Sequence, residues 1–225
     1  MLKENAVILF TRIPIPGKTK TRLQASLSGE QCASLQKAFL CDVFKVLQTV
    51  EPKCDVFVCF APEGDPAQLI ALLPGAHTFF PQSGGNLGDK MHNAISHVLS
   101  NGYERCVLIG SDVPLLKSKT IDDAFHLLEE NDVVLCPTVD GGYYLIGMEE
   151  PCEELFRLEE YGVPSVFEKT LAATVKAGIS CAIGDQAMDI DEPEDLLRLM
   201  EMLERESPDV CAETRKALGE VLWTP

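Results

Sequence analysis

Short β-branched apolar runs alternate with longer amphipathic stretches along nearly the whole chain, and this alternation constrains the fold more than any other feature. Ala6-Val-Ile-Leu-Phe-Thr11 reads as a buried strand, followed by an irregular segment to Ser28. Ser28-Gly-Glu-Gln31 then has the spacing of a capping box, and Leu35, Phe39, Val43, Val46/Leu47 and Val50 recur at helical intervals. The pattern continues with strand Asp55 to Phe60, a short helix at Pro66 to Leu73, strand His77 to Phe80, a glycine-rich turn and helix Asp89 to Leu99. Next come strand Arg105 to Gly110, helix Thr120 to Glu130, strand Val133 to Cys136, a turn at Asp140-Gly-Gly142 and strand Tyr143 to Met148. The last third predicts helices near Glu153 to Glu160 and Ser165 to Ala177, strand Ile179 to Ile183, helix Glu194 to Glu204 and a final helix Cys211 to Leu222. Such alternation implies an α/β protein, with a mostly parallel sheet covered by helices on both faces. Only Val133/Tyr143 has a connection short enough for a hairpin, which makes the sheet mixed. No repeat or Ser/Pro-rich linker interrupts the pattern, so residues 1–225 read as one domain. The terminal helix, at about 209–222, is an appendage whose Trp223 could cover its own core or a partner's, and the oligomeric state stays open.

Charge narrows the function classes. The 225 residues carry 35 acids against 19 bases, a net charge of -16, which argues against unspecific binding to nucleic acid or anionic lipid. The apolar runs are far below the ~20 residues a bilayer span needs. The first run leads into Arg12 and two prolines without a cleavage site, so a cytoplasmic location is expected. The nine cysteines form no C-x-x-C pair and read as reduced, buried thiols. Against the acidic background, the stretch from Asn5 to Gly29 contains no acid and holds Arg12, Lys18, Lys20 and Arg22.

Open α/β sheets bind ligands outside the carboxyl ends of their strands, so the segments after each strand carry the functional expectation. The first is Thr11-Arg-Ile-Pro-Ile-Pro-Gly-Lys-Thr-Lys-Thr-Arg22. Gly17-Lys18-Thr19 imitates the end of a Walker A motif, but Arg12 stands where that motif requires its first glycine. What remains is a stiff loop offering cations to nucleotide phosphates. After the third strand, Pro81-Gln-Ser-Gly-Gly-Asn-Leu-Gly88 reads equally as a turn with a helix start or as a nucleoside site. In the second case Gln82 meets a base edge and Gly84, Gly85, Asn86, Leu87 and Gly88 form a close-approach loop.

Asp112, in Gly110-Ser-Asp-Val-Pro114, leaves the end of the fourth strand well before the next helix. That suits a ligand for Mg²⁺ or Mn²⁺ completed by phosphate oxygens and water. Asp189 and Asp191 sit at strand spacing and are the further candidate metal ligands; Asp191 also reads as an N-cap for the following helix, which makes Asp189 the better second ligand to Asp112. Asp140 reads as a hairpin-turn residue or, beside a metal, as a group that positions or deprotonates an acceptor.

Five motifs in order, P-x-P-G-x-x-K-T-R-L (Pro14 to Leu23), Q-x-G-x-x-L-G-x-K-M (Gln82 to Met91), G-S-D-V-P (Gly110 to Pro114), D-G-G-Y-Y-L-I-G (Asp140 to Gly147) and D-I-D-x-P-E-D-L (Asp189 to Leu196), resemble one family over residues 5 to about 200. It is the group of bacterial glycosyltransferase-like proteins also described as selenodomain-associated transferases, within the nucleotide-diphospho-sugar transferase superfamily. The resemblance implies the GT-A fold, a Rossmann-like three-layer α/β/α sandwich that binds a nucleotide with a divalent cation. It also implies kinship with 2-phospholactate guanylyltransferase and the molybdenum-cofactor nucleotidyltransferases. Lys90 stands where the family pattern has arginine.

The expectation is a metal-dependent transferase that takes a nucleotide or sugar nucleotide and an unidentified small-molecule acceptor. Glycosyl transfer is the first reading, nucleotidyl transfer with pyrophosphate release the second, and a nucleotide-binding module without catalysis the third. Thr11, Arg12, Gly17, Lys18, Lys20 and Arg22 would hold phosphates, with Lys20, Arg22 and Asp140 serving the chemistry.

Overall fold

The structure, a computed structural model, describes residues 3–50 and 54–222. Trp223 lies outside the described residues. The first strand, β1 (Lys3–Thr11), runs near the middle of the sheet, and its alternation serves two cores at once. Val7 and Leu9 face one layer of helices while Ala6 and Ile8 face the other, and all four are fully buried. A strand buried on both faces reads as a continuous apolar run, which is why Ala6 to Phe10 lacks polar alternation.

The remaining strands are β2 (Asp55–Phe60), β3 (Thr78–Pro81), β4 (Tyr103–Gly110), β5 (Val133–Pro137), β6 (Tyr143–Met148) and β7 (Cys181–Ile183). They order as β3-β2-β1-β4-β6-β5-β7. Among the described residues only β6 runs against its neighbours, pairing antiparallel with both β4 and β5 as the short Val133/Tyr143 connection predicts. Helices α1 (Gly29–Leu47), α2 (Ala67–Leu72) and α4 (Ser118–Leu128) pack on the Val7 face, while α3 (Leu87–Ser100) and α5 (Val166–Ala177) cover the Ile8 face. Ser28 and Gln31 form the expected capping box, Gln31 N–H donating to Ser28 Oγ at 3.2 Å and Ser28 N–H to Gln31 Oε1 at 2.8 Å.

A third core joins the outer part of α1 to α6 (Pro193–Leu203) and α7 (Ala212–Leu222) through Phe39, Leu199 and Leu218. Asp42 of α1 fixes the start of α7 by accepting from Glu213 N–H at 3.2 Å and Thr214 N–H at 2.7 Å. Those are two of the donors a helix N-terminus leaves unpaired. Among the described residues no helix is long and apolar enough to cross a membrane. The nine cysteines are free thiols, and burial pushes Cys59 up to about 12, where a thiol is unreactive at neutral pH.

Two expectations change. Glu153 to Glu160 is no helix; only a single 3-10 turn, Glu153–Phe156, forms there. Its apolar residues are adjacent, so Leu155 and Phe156 are buried under α3 within one turn and nothing anchors a second. Nor does Asp191 cap α6. Glu192 takes the N-cap position, and the Asp195 carboxylate accepts from the N–H groups of Asp191 and Glu192 at 3.3 and 2.9 Å.

Candidate functional site

The strand order reverses direction at β1 and β4, because β2 and β3 lie to one side of β1 and β4 to the other. Their carboxyl ends therefore flank a crevice, the place where open α/β sheets take ligands. A cleft of about 670 Å³ opens there, with Arg12, Lys18, Arg22, Gln82, Leu87 and Lys90 among its walls. Register sets Phe10 opposite Gly110, so the next residues, Thr11 and Ser111, meet at its floor. Ser111 Oγ accepts from Thr11 Oγ1 at 3.2 Å and from Gln36 Nε2 at 2.8 Å, all three residues being buried. Gln36 escaped the sequence reading, and Ser111 entered it only as part of the Gly110 to Pro114 motif. The available signal was the position of Gln36 on the apolar stripe of α1, four residues after Cys32 and three before Phe39.

The loop after β1 is stiffened from inside. Thr19, met in the sequence only as the end of a Walker A mimic, is buried, and its Oγ1 donates to Ile13 O at 3.2 Å while accepting from Ile15 N–H at 3.1 Å. Gly17 takes a left-handed φ of 78°, and a Cβ on Gly29 would lie 2.6 Å from its nitrogen, so the loop rests directly on the start of α1. Gly17 itself is exposed and lies outside the cleft walls.

The loop ends at Lys20, a non-glycine residue at φ 50°. Its side chain turns inward and is only 2% exposed. Lys20 Nζ donates to Asp112 Oδ1 and to the Ile190 carbonyl, both at 2.6 Å, lies 3.8 Å from Asp191 Oδ1, and sits 5.1 Å from the centre of the Phe39 ring. The expected phosphate ligand is thus a counterion to two expected metal ligands. Lys18 and Arg22 stay at the surface, 3.9 Å from Glu63 and 3.5 Å from Glu192. Exposed pairs of this kind are weak.

Burial raises Asp189 to about 6, with Asp140 and Asp191 adding to it by like charge. Asp191 is raised as well, first by burial and then by Asp112, with Lys20 and Arg22 opposing. Among the described residues no group of three or more His, Cys, Asp or Glu side chains is arranged to hold a metal ion. Asp112, Asp189 and Asp191 therefore do not converge as a ready-made cage. What Lys20 shows is an all-oxygen set, two carboxylates and a carbonyl, that already accommodates a positive charge. Hard oxygen donors in that number fit Mg²⁺ or Mn²⁺, which keep several positions for water and substrate phosphates.

Asp140 Oδ1 is taken by the turn, accepting from Thr138 Oγ1 and from Gly142 N–H at 3.0 Å, and the residue is exposed and outside the cleft walls. The structure gives it the turn role of its two expected roles.

The segment after β3 forms the turn and helix start, one of its two equal readings. Gln82 Nε2 donates to Thr11 O at 2.9 Å, which ties the amide to β1 and leaves its Oε1 for a ligand. Asn86 caps α3, accepting from Asp89 N–H at 2.8 Å, while the Asp89 carboxylate accepts from Gly85 and Asn86 N–H at 3.1 and 3.3 Å. Those N–H groups are therefore not presented to a ligand. Gly88 turns away from the cleft, and a Cβ there would lie 2.1 Å from Phe156 O. Gly84, Gly85, Asn86 and Gly88 build the entry to α3, and Leu87 alone of the five reaches the cleft wall, followed by Lys90 and Met91.

Comparison with known proteins agrees with this architecture. Residues 45–163 match the model of a family described as "Uncharacterized protein conserved in bacteria (DUF2064)". The 2-phospho-L-lactate guanylyltransferase of Methanothrix thermoacetophila is 30% identical over 185 residues, covering 80% of this chain and 77% of that protein. The 3-phospho-D-glycerate guanylyltransferase of Phenylobacterium zucineum is 25% identical over 185 residues, covering 80% and 83%. A crystal structure from Desulfovibrio desulfuricans G20, described as a "putative nucleotide-diphospho-sugar transferase", superposes with a TM-score of 0.87 at 29% identity, covering 97% of this chain and 96% of that one. The fold is the mixed α/β sandwich of the nucleotide-diphospho-sugar transferases.

Proposed function

The chain belongs to the DUF2064 family of bacterial proteins, and on that premise we propose that it is a nucleotidyltransferase that joins a nucleoside triphosphate to a phosphorylated small acid and releases pyrophosphate. The observation that carries this reading is the array of Lys20, Asp112 and Asp191 at the β1/β4 switch point, beneath a loop that also presents Arg12, Lys18 and Arg22. Cations on a braced loop beside oxygen ligands suit a reaction whose difficulty lies in gathering phosphate charge.

In the proposed step a phosphate oxygen of the acceptor attacks the α-phosphorus of the triphosphate. The bond from that phosphorus to the bridging oxygen of the β-phosphate breaks, and pyrophosphate leaves with the electron pair. Lys18, Arg22 and Arg12 neutralise the leaving group from the loop. Asp112 and Asp191 would hold the divalent cation, which when bound polarises the phosphate oxygens as a Lewis acid. Leu87 and Gln82 Oε1 line the part of the cleft left for the nucleoside. A phosphate acceptor has a second pKa near ~6 and is already ionised at neutral pH, so it requires no base from the protein. This agrees with an Asp140 engaged by its own turn. The guanylyltransferase relatives give the same direction, and the acceptors in their names, 2-phospho-L-lactate and 3-phospho-D-glycerate, define the class to try first.

Glycosyl transfer, the first expectation from sequence, becomes the second reading, favoured by the likeness to the Desulfovibrio protein. Incubation of each nucleoside triphosphate with either phospho-acid and Mg²⁺, followed by pyrophosphate release and ³¹P NMR, separates the alternatives. The expected result is pyrophosphate with a new diphosphate diester. Nucleoside diphosphate released from a sugar nucleotide, with no pyrophosphate from any triphosphate, would replace the proposal by glycosyl transfer. Tight nucleotide binding without either product would leave a binding module.

A further inference from the structure

Lys20 has two demands on one ammonium group. The loop it belongs to is the one best placed to meet phosphates, yet its side chain is sealed beneath that loop on Asp112, Ile190 O and Asp191. We propose that Lys20 is an exchangeable counterion, which neutralises Asp112 and Asp191 while no divalent cation is bound and swings into the cleft toward the phosphates when a cation takes those carboxylates. This rests on the reading of Asp112 and Asp191 as cation ligands.

Three observations carry the exchange. The ammonium shares its oxygens with the proposed cation, and like charges on the same carboxylates within a few ångströms repel. The loop backbone is held without the Lys20 side chain, by Thr19 Oγ1 on Ile13 and Ile15 and by Leu23 N–H on Lys20 O at 3.0 Å. The four-carbon stem can therefore rotate while the loop stays in place. Finally, Lys20, Thr21 and Arg22 all border the same cleft, so the released ammonium arrives among the cations already there. Cation binding and completion of the phosphate site become one event, and a site lacking its cation keeps this lysine from the phosphates.

Amine-reactive labelling of the nucleotide-free protein, read residue by residue in the mass spectrometer, tests this without reference to activity. Lys18, whose side chain is 64% exposed, is the internal reference. Without Mn²⁺, Lys20 should label far more slowly than Lys18, and saturating Mn²⁺ should raise its rate about tenfold, the factor expected when a site occupied most of the time is vacated. Calorimetry should show Lys20→Met binding Mn²⁺ about tenfold more tightly than the unsubstituted protein, because the internal competitor is gone. The exchange is overturned if Asp112→Asn abolishes Mn²⁺ binding while Lys20 labelling in the unsubstituted protein ignores Mn²⁺. It is overturned equally if a folded Lys20→Met binds Mn²⁺ no more tightly than the unsubstituted protein. If Asp112→Asn leaves Mn²⁺ binding intact, the cation site itself is misplaced and the exchange falls with it. Should Lys20→Met fail to fold, the labelling of the unsubstituted protein decides alone.

Discussion

Lys20 Nζ lies 2.6 Å from Asp112 Oδ1, tying the loop after β1 to the end of β4 across the strand-order reversal. Replacing Asp112 by Asn keeps the shape and removes the charge. Turnover and divalent-cation binding should fall about a hundredfold or more, because an anionic ligand and the partner of a buried ammonium are lost together. Asp112 is itself partly exposed and Asp191 remains near Lys20, so the fold should lose only about 1–2 kcal/mol. Activity assays alongside a urea melt check both halves. Retained activity with retained cation dependence would remove Asp112 from the site.

Asp189 should make stability depend on pH with the less common sign. Burial first, then Asp140 and Asp191, raise it from 3.8 to about 6, so the folded protein binds its proton more tightly than the unfolded chain. The resulting stability is present below about pH 4 and is lost as pH rises through about 6. Asp189→Asn removes that dependence. It should stabilise the protein by about 1–2 kcal/mol above pH 6, after allowance for partial exposure, and by nothing at pH 4. Thermal melts of the two proteins from pH 4 to 8 test this, and a gain independent of pH would refute the assignment.

The sheet was legible because Ala6 to Phe10 and Cys106 to Ile109 are apolar without alternation, a pattern that needs helices on both faces, and because one connection alone was short enough for a hairpin. That reading placed the crevice beside Thr11 and Asp112. Side-chain direction within the crevice was beyond it. Lys20 points inward because a left-handed backbone, imposed by the braced loop, aims it there, and nothing local to Thr19-Lys-Thr21 announces this. Gln36 reaches Ser111 across 75 residues of sequence, a relation that spacing cannot express. Glycines were ambiguous for a different reason. Close approach of a ligand and close approach of Phe156 both demand a missing Cβ, so Gly88 looked the same in either role.

Gly88→Ala distinguishes those roles. The added Cβ would meet the Phe156 carbonyl at 2.1 Å and the Tyr161 hydroxyl at 2.7 Å. Backbone cannot yield as a flexible side chain does, so overpacking should cost about 1–3 kcal/mol. The variant should melt earlier, while KM for the nucleotide stays unchanged at temperatures where it is folded. A raised KM with unchanged stability would return Gly88 to the nucleotide site.

Thr19→Val separates the bracing of the loop from its charge. Valine matches threonine in shape but leaves Ile13 O without the hydroxyl donor and Ile15 N–H without its acceptor. The site is buried, so the unpaired groups should cost about 1–3 kcal/mol. No cation is removed, and phosphate attraction survives in strength while losing its fixed geometry. Since an oriented charge acts through position, the variant should lose kcat severalfold more than it loses affinity for the triphosphate. Steady-state kinetics with a separate binding titration measure the split. Equal losses in both would mean that Thr19 supports the loop's presence in the cleft and not its alignment.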